Sequence, residues 1–158
     1  TPDQNIRDLR NAVQFSSQQA TVAAVLSALD GAGLAHLSAH LVGGAGNPWF
    51  SAAELADGML VPSTIRLLSR PPCVVVIDRC EPVDAFGFAG ALIDAGVRTV
   101  VTPVSKVGDE ACAATLADFY RNLASGDTIA QALAYAIAKD PQRRPFICLG
   151  ADGTVDLS

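Results

Sequence analysis

A thiol becomes a useful nucleophile when a nearby base or positive dipole favours its thiolate, and histidine is the side chain that titrates in the right range to act as that base. The chain holds two histidines, His36 and His40, and four cysteines, Cys73, Cys80, Cys112 and Cys148. Cys80 is set apart by its neighbours: Asp78, Arg79 and Glu81 place it in a polar turn directly after the apolar run Cys73-Val74-Val75-Val76-Ile77. The other three cysteines lie in apolar surroundings and read as packed structural residues. His40 closes the segment HLSAH and is followed by Leu41 to Asn47, a loop containing Gly43, Gly44 and Gly46. Such a backbone can approach a bound carbonyl closely, and amide N–H groups there and at Cys80 could form an oxyanion hole. The plainer reading of Cys80 is a core thiol. For His36, which shares a face with His40 if the segment is a strand, the plainer reading is a buried, hydrogen-bonded residue.

Positioning these groups falls to the elements around them. Residues 18–31 carry Val22, Val25, Leu26 and Leu29 at helical spacing and stop at Gly31 and Gly33. Leu34 to Ala39 reads as a short buried strand that ends at His40. In WFSAAELADGMLVP two extended runs flank Asp57-Gly58, which predicts a β-hairpin, followed by a helix over Ser63 to Ser69. The β-branched run 73–77 predicts a strand buried on both faces of a parallel sheet. A helix over 83–95, a strand over Thr99 to Pro103, helices over Asp109–Ala124 and Thr128–Lys139, and a strand over Pro145 to Leu149 complete the pattern, with Ser125-Gly126-Asp127 supplying a stop and then an N-cap. Strand and helix in alternation imply four parallel strands in an α/β sandwich, whose ligands sit at the carboxyl ends of strands. His40 and Cys80 occupy two such ends.

With 158 residues, half of them hydrophobic, the chain is long enough for one compact unit. Its charged fraction is 17% and its formal net charge is -5, so it has no basic footprint for nucleic acid. No apolar run approaches the roughly 18–20 residues that cross a bilayer, and TPDQNIRDLR lacks the apolar core of a signal peptide. The cysteines form no CxxC pair or close framework, which points to reduced thiols in the cytoplasm. Zinc is not expected, because the His36–His40 pair has no matching cysteine pair at ligand spacing. A flavodoxin-like or Rossmann-like domain is disfavoured, since no GxGxxG or phosphate loop follows a strand.

The order of short motifs resembles the CHAT family of the caspase-like clan. HLSAH at 36–40 is similar to the family's strand ending in its catalytic histidine. Asn47-Pro48-Trp49-Phe50-Ser51 and LADGMLVPSTI resemble its hairpin and following helix, and CVVVIDRCE at 73–81 its strand ending in the catalytic cysteine. AGALIDAGVRTVVTPVSKVGDEA and FYRNLASGDTIAQALAYA match its later elements. The likeness spans about residues 18–150, leaving 1–17 as a poorly readable N-terminal segment and 18–158 as the domain. It implies a caspase-like three-layer sandwich with a mainly parallel sheet flanked by helices, plus the hairpin. It further implies His40 as general base, Cys80 as nucleophile, Leu41 and Cys80 as oxyanion-hole donors, Asp78 and Glu81 as substrate-binding residues, and neither metal nor organic cofactor.

Two departures from the family pattern bear on activity. The family has Gly directly after its histidine, where this chain has Leu41, and it favours Ser-Ala-Cys-Glu-Thr-Gly where this chain reads Asp78-Arg79-Cys80-Glu81-Pro82-Val83. Metacaspases, relatives in the clan, carry Asp two residues before their nucleophile, where it helps form an acidic pocket for a substrate Arg or Lys. Asp78 is in that position; the alternatives are an ion pair with Arg79 or another cation, or a helix cap. The resemblance therefore implies a cysteine endopeptidase cleaving a specific protein partner, with a basic residue at the cleavage point, in regulated bacterial proteolysis or defence. The alternative is an inactive caspase-like binding or assembly module. A full caspase-like sheet has around six strands, so the domain is expected to be incomplete on its N-terminal side. The expected partners are a protein or peptide substrate together with an N-terminal half, a sensor or helical-repeat module, or a second copy; nucleic acid and membrane are not expected as direct partners.

Overall fold

The computed structural model describes residues 12–44, 46–78, 85–105 and 108–157. Its centre is the strand that the β-branched run demands. Val74–Ile77 pairs in parallel with Leu34–Leu37 on one side and with Thr99–Pro103 on the other. In chain order the strands are β1 (Leu34–Leu37), β2 (Leu41–Val42), β3 (Ala52–Glu54), β4 (Met59–Leu60), β5 (Val74–Ile77), β6 (Thr99–Pro103) and β7 (Phe146–Gly150). The helices are α1 (Val22–Leu29), α2 (Pro62–Ile65), α3 (Ala85–Asp94), α4 (Asp109–Ala124) and α5 (Ile129–Lys139). The larger sheet runs β1-β5-β6-β7 and the smaller β2-β3-β4.

Alternation along β5 sorts the core into two halves. Val75 and Ile77, with Val100 of β6, pack against Val25 and Leu29 of α1 and Phe88 and Leu92 of α3. Val74 and Val76, with Val101, pack against Leu116, Phe119 and Leu123 of α4 and Leu133 and Ala136 of α5. All four β5 residues are buried, so the run has no polar face to offer. The result is a three-layer α/β sandwich with helices on both faces of a mostly parallel sheet.

Several expected details need correction. β7 is antiparallel to β6, so three strands of the larger sheet are parallel rather than four. One helix returns the chain to the edge from which a strand started and makes the next strand parallel, whereas the pair α4 and α5 leaves it at the opposite edge. The first strand ends at Leu37, not Ala39. The helix expected over Ser63 to Ser69 is the single turn α2, beginning at Pro62, and Leu67 beyond it is 84% exposed. α1 starts at Val22 with Thr21 as its cap, later than residue 18. Thr128, not Asp127, caps α5, in a capping box with Gln131. The hairpin about Asp57-Gly58 forms as expected and gains β2 as a third strand. Asp57 Oδ1 accepts the Val22 N–H at 2.7 Å, which ties the hairpin turn to the start of α1.

Candidate active site

β1 and β5 end together, at the register pair Leu37 and Ile77. His40 and Cys80 each follow three residues later, so the sequence places both just beyond the carboxyl ends of adjacent parallel strands. Arg79, Cys80 and Glu81 themselves lie outside the described residues. His40 is exposed, in the link between β1 and β2. Its carbonyl accepts the Glu54 N–H at 2.8 Å, which anchors it to the small sheet.

The hydrogen bond at His40 also orients Leu41. Leu41 faces Ala53 across an antiparallel ladder in which His40 and Glu54 form the neighbouring hydrogen-bonded pair. Alternation then turns the Leu41 N–H to the edge away from β3. The Leu41 side chain, 4% exposed, belongs to the core shared with Leu37, Ala53 and Ile77. Packing thus accounts for a leucine here, and Arg143 is the one non-glycine with positive φ among the described residues, so Leu41 needs no glycine conformation. Gly44 is required for a different reason: a Cβ there would collide with the Asn47 carbonyl and the Ser51 N. The glycine-rich loop therefore folds back on its own 3-10 turn, Pro48–Phe50, where Asn47 Oδ1 accepts the Trp49 N–H at 3.1 Å.

On the α4 side of the sheet the same strand ends bring together three polar groups. His36 and Asp78 fall on one face because His36 pairs with Val76, and Asp78 has the parity of Val74 and Val76. His36 Nε2 lies 3.1 Å from Asp78 Oδ2, and His36 Nδ1 lies 2.5 Å from the Tyr120 hydroxyl of α4. Burial, reinforced by the Asp78 carboxylate, raises the Tyr120 phenol well above its ordinary value. Tyr120 therefore keeps its proton and donates to Nδ1, which leaves the Nε2–H to donate to Asp78. The backbone of Asp78 is also held. Its N–H donates to the Leu37 carbonyl at 3.4 Å, and its carbonyl accepts from the buried Cys112 thiol at 3.3 Å. Asp78 Oδ1 is buried with no hydrogen-bond partner.

The structure therefore places Asp78 against His36; Arg79 and the residues that lead into the following helix lie outside the described residues. Tyr120 and Cys112 were not anticipated as neighbours of Asp78. A signal for Tyr120 existed, since a tyrosine on the apolar stripe of a helix must find a partner for its hydroxyl. The stripe is legible in Cys112, Leu116, Phe119 and Leu123, all buried. Of the three described cysteines, Cys112 is buried as expected, Cys148 is half-buried, and Cys73 is exposed, which corrects its reading as a core residue. Cys73 precedes the first paired residue of β5, at the sheet edge opposite Asp78. Burial and the Asp152 charge push the Cys148 thiol up, away from thiolate reactivity.

A family model described as the CHAT domain matches residues 4–139. The chain belongs to the CHAT family. No curated protein matches it. CHAT domains are related to caspase-like cysteine peptidases, and the carboxyl edge of β1 and β5 is the part of this one where polar groups converge. Among the described residues of the CHAT domain, no group of three or more His, Cys, Asp or Glu could hold a metal, and no helix is long and apolar enough to cross a membrane.

Proposed function

We propose that this CHAT domain is a cysteine endopeptidase in which Cys80 attacks a peptide carbonyl, His40 is the general base, and the Leu41 and Cys80 N–H groups receive the oxyanion. The observation that carries the reading is the common ending of β1 and β5 at Leu37 and Ile77, with His40 and Cys80 equally far beyond it in a chain of this family. The Sγ of Cys80 adds to the carbonyl carbon as its proton passes to His40. The tetrahedral adduct collapses to a thioester while His40 returns the proton to the leaving amine, and water then hydrolyses the thioester. Asp78, with an acceptor oxygen that no described residue uses, supports recognition of a basic side chain next to the scissile bond. Glu81 would add to the same acidic wall.

A second reading, an inactive binding or assembly module, is favoured by the Asp78 to Val83 setting, which departs from that of the family's cysteine. Mapping a thiol-reactive probe separates the two. Labelling of Cys80 that is selective, and that slows by at least about tenfold in His40→Ala, supports the peptidase; labelling no faster than at the exposed Cys73 supports the module. Digestion of peptide libraries tests the pocket, since equal turnover of basic and neutral residues at the cleavage point removes Asp78 from recognition.

The wider setting is part of the same proposal. β1 and β7 are the outer strands of the larger sheet among the described residues. An outer β1 suits pairing with an N-terminal half, a sensor or helical-repeat module, or a second copy of the chain. Cysteines without a CxxC pair or a close framework suit a reducing cytoplasm and a role in regulated bacterial proteolysis or defence.

A further inference from the structure

We infer that His36 and Tyr120 are positioning residues for substrate selection, holding the Asp78 carboxylate so that Oδ1 alone is left to pair with a cationic side chain. The inference rests on the proposed role of Asp78 and assigns a task to two residues that the dyad chemistry does not use.

Three observations carry it. The His36 side chain is only 10% exposed and the Asp78 side chain 19%, so solvent does little to fix either one. Oδ2 is taken by His36 Nε2, while Oδ1 is buried and unpartnered. A buried acceptor left without a donor is uncommon in folded proteins, and a cationic ligand arriving at the carboxyl end of the sheet would satisfy it. The third observation is how the carboxylate is kept in place. His36 is a residue of β1 whose ring is locked by the Tyr120 hydroxyl, and Tyr120 is 2% exposed in the α4 face of the core. The relay Tyr120 to His36 to Asp78 thus fixes one tautomer: the phenol donates to Nδ1, and Nε2–H donates to Oδ2. Loss of the phenol O–H leaves Nδ1 without its donor, so the carboxylate alone holds the ring and its tautomer. The ring is then freer to turn, and Oδ2 loses a fixed donor.

The test compares two tetrapeptide amides that differ only at the C-terminal residue, Arg or norleucine, on the full chain. Equilibrium binding of both is measured, together with turnover of the corresponding anilides. The wild type is expected to prefer Arg. His36→Leu removes the donor and should reduce the Arg to norleucine preference about tenfold. Tyr120→Phe keeps the ring packing and should reduce it about threefold, and His36→Gln, whose amide N–H can reach Oδ2, should restore most of it. The loss is expected in KM for the Arg peptide rather than in kcat. Retention of the preference in both His36→Leu and Tyr120→Phe overturns the inference, as does an equal loss for both peptides, which would mark a structural role alone. A wild type without any preference instead removes the Asp78 pocket on which the inference depends. Binding is read without turnover, so an inactive dyad does not mask the result. Should His36→Leu fail to fold, Tyr120→Phe and His36→Gln carry the comparison.

Discussion

Asp78 and Asp140 show how differently two carboxylates can be used. Asp78 keeps one buried oxygen without a hydrogen-bond partner, whereas Asp140 is fully engaged in the turn after α5. Its Oδ1 accepts from Gln142 N at 3.0 Å and Arg144 Nη1 at 2.8 Å, and its Oδ2 from Arg144 N at 2.9 Å. The hydrogen bond from the Arg144 backbone N–H is the main cause that holds the Asp140 carboxyl below its usual pKa. A depressed folded value stabilises the fold at pH above the unfolded carboxylate value, about 3.9, and that contribution fades as pH falls through the lower folded value. Asp140→Asn should therefore destabilise the protein at neutral pH, and the gap between variant and wild type should narrow as pH falls below the unfolded carboxylate value, as read from urea midpoints at each pH. At Asp78 the expectation differs: Asp78→Asn should abolish any preference for Arg over norleucine peptides while the fold survives. Its partnership with His36 was not legible from residue types alone, because it depends on the register that sets His36 opposite Val76.

Among the elements, those with a strong local signal formed where expected. β6 and α4 have the bounds that pattern and helical period predict, Thr99–Pro103 and Asp109–Ala124. α5 is offset only at its cap. Thr128 outcompetes Asp127 because its hydroxyl accepts the Gln131 N–H while Gln131 returns a bond to the Thr128 N–H. Thr128→Ala should accordingly cost about 1 kcal/mol in chemical denaturation, with Asp127→Ala nearer zero. The strand at His36 was over-extended because Ser38 and Ala39 carry no stop signal. Beyond the bond from the Asp78 N–H to the Leu37 carbonyl the chain turns to pair His40 with Glu54. Similarly, β2 has only two residues and exists because β3 is there to receive it.

In the whole molecule, the larger sheet divides the core into two compartments with separate residue sets. Ile65 sits on the α1 and α3 side and Ile129 on the α4 and α5 side, both nearly inaccessible. Ile65→Val and Ile129→Val should each cost about 1 kcal/mol. Because no core neighbour is shared, the double variant should lose the sum to within about 0.5 kcal/mol in urea titration, and a larger deviation would show that the compartments communicate through the sheet. Gly150 closes the sheet at φ 98, where a Cβ would collide with the Arg98 carbonyl. The antiparallel β7 therefore depends on a backbone that only glycine readily provides.

The sequence by itself determined the layered α/β architecture, the hairpin, the family, and the placing of His40 and Cys80 after two strands, because apolar periodicity and turn residues act locally and write themselves into short windows. Tertiary structure decided what spans the windows. It made β7 antiparallel through the paired helices before it, moved Cys73 to the surface, gave Leu41 a packing reason, and joined Tyr120, His36 and Asp78 across 84 and 42 positions of chain. Contacts of that range depend on strand register and on which face a residue takes, and those are fixed only when the sheet and its helices pack together.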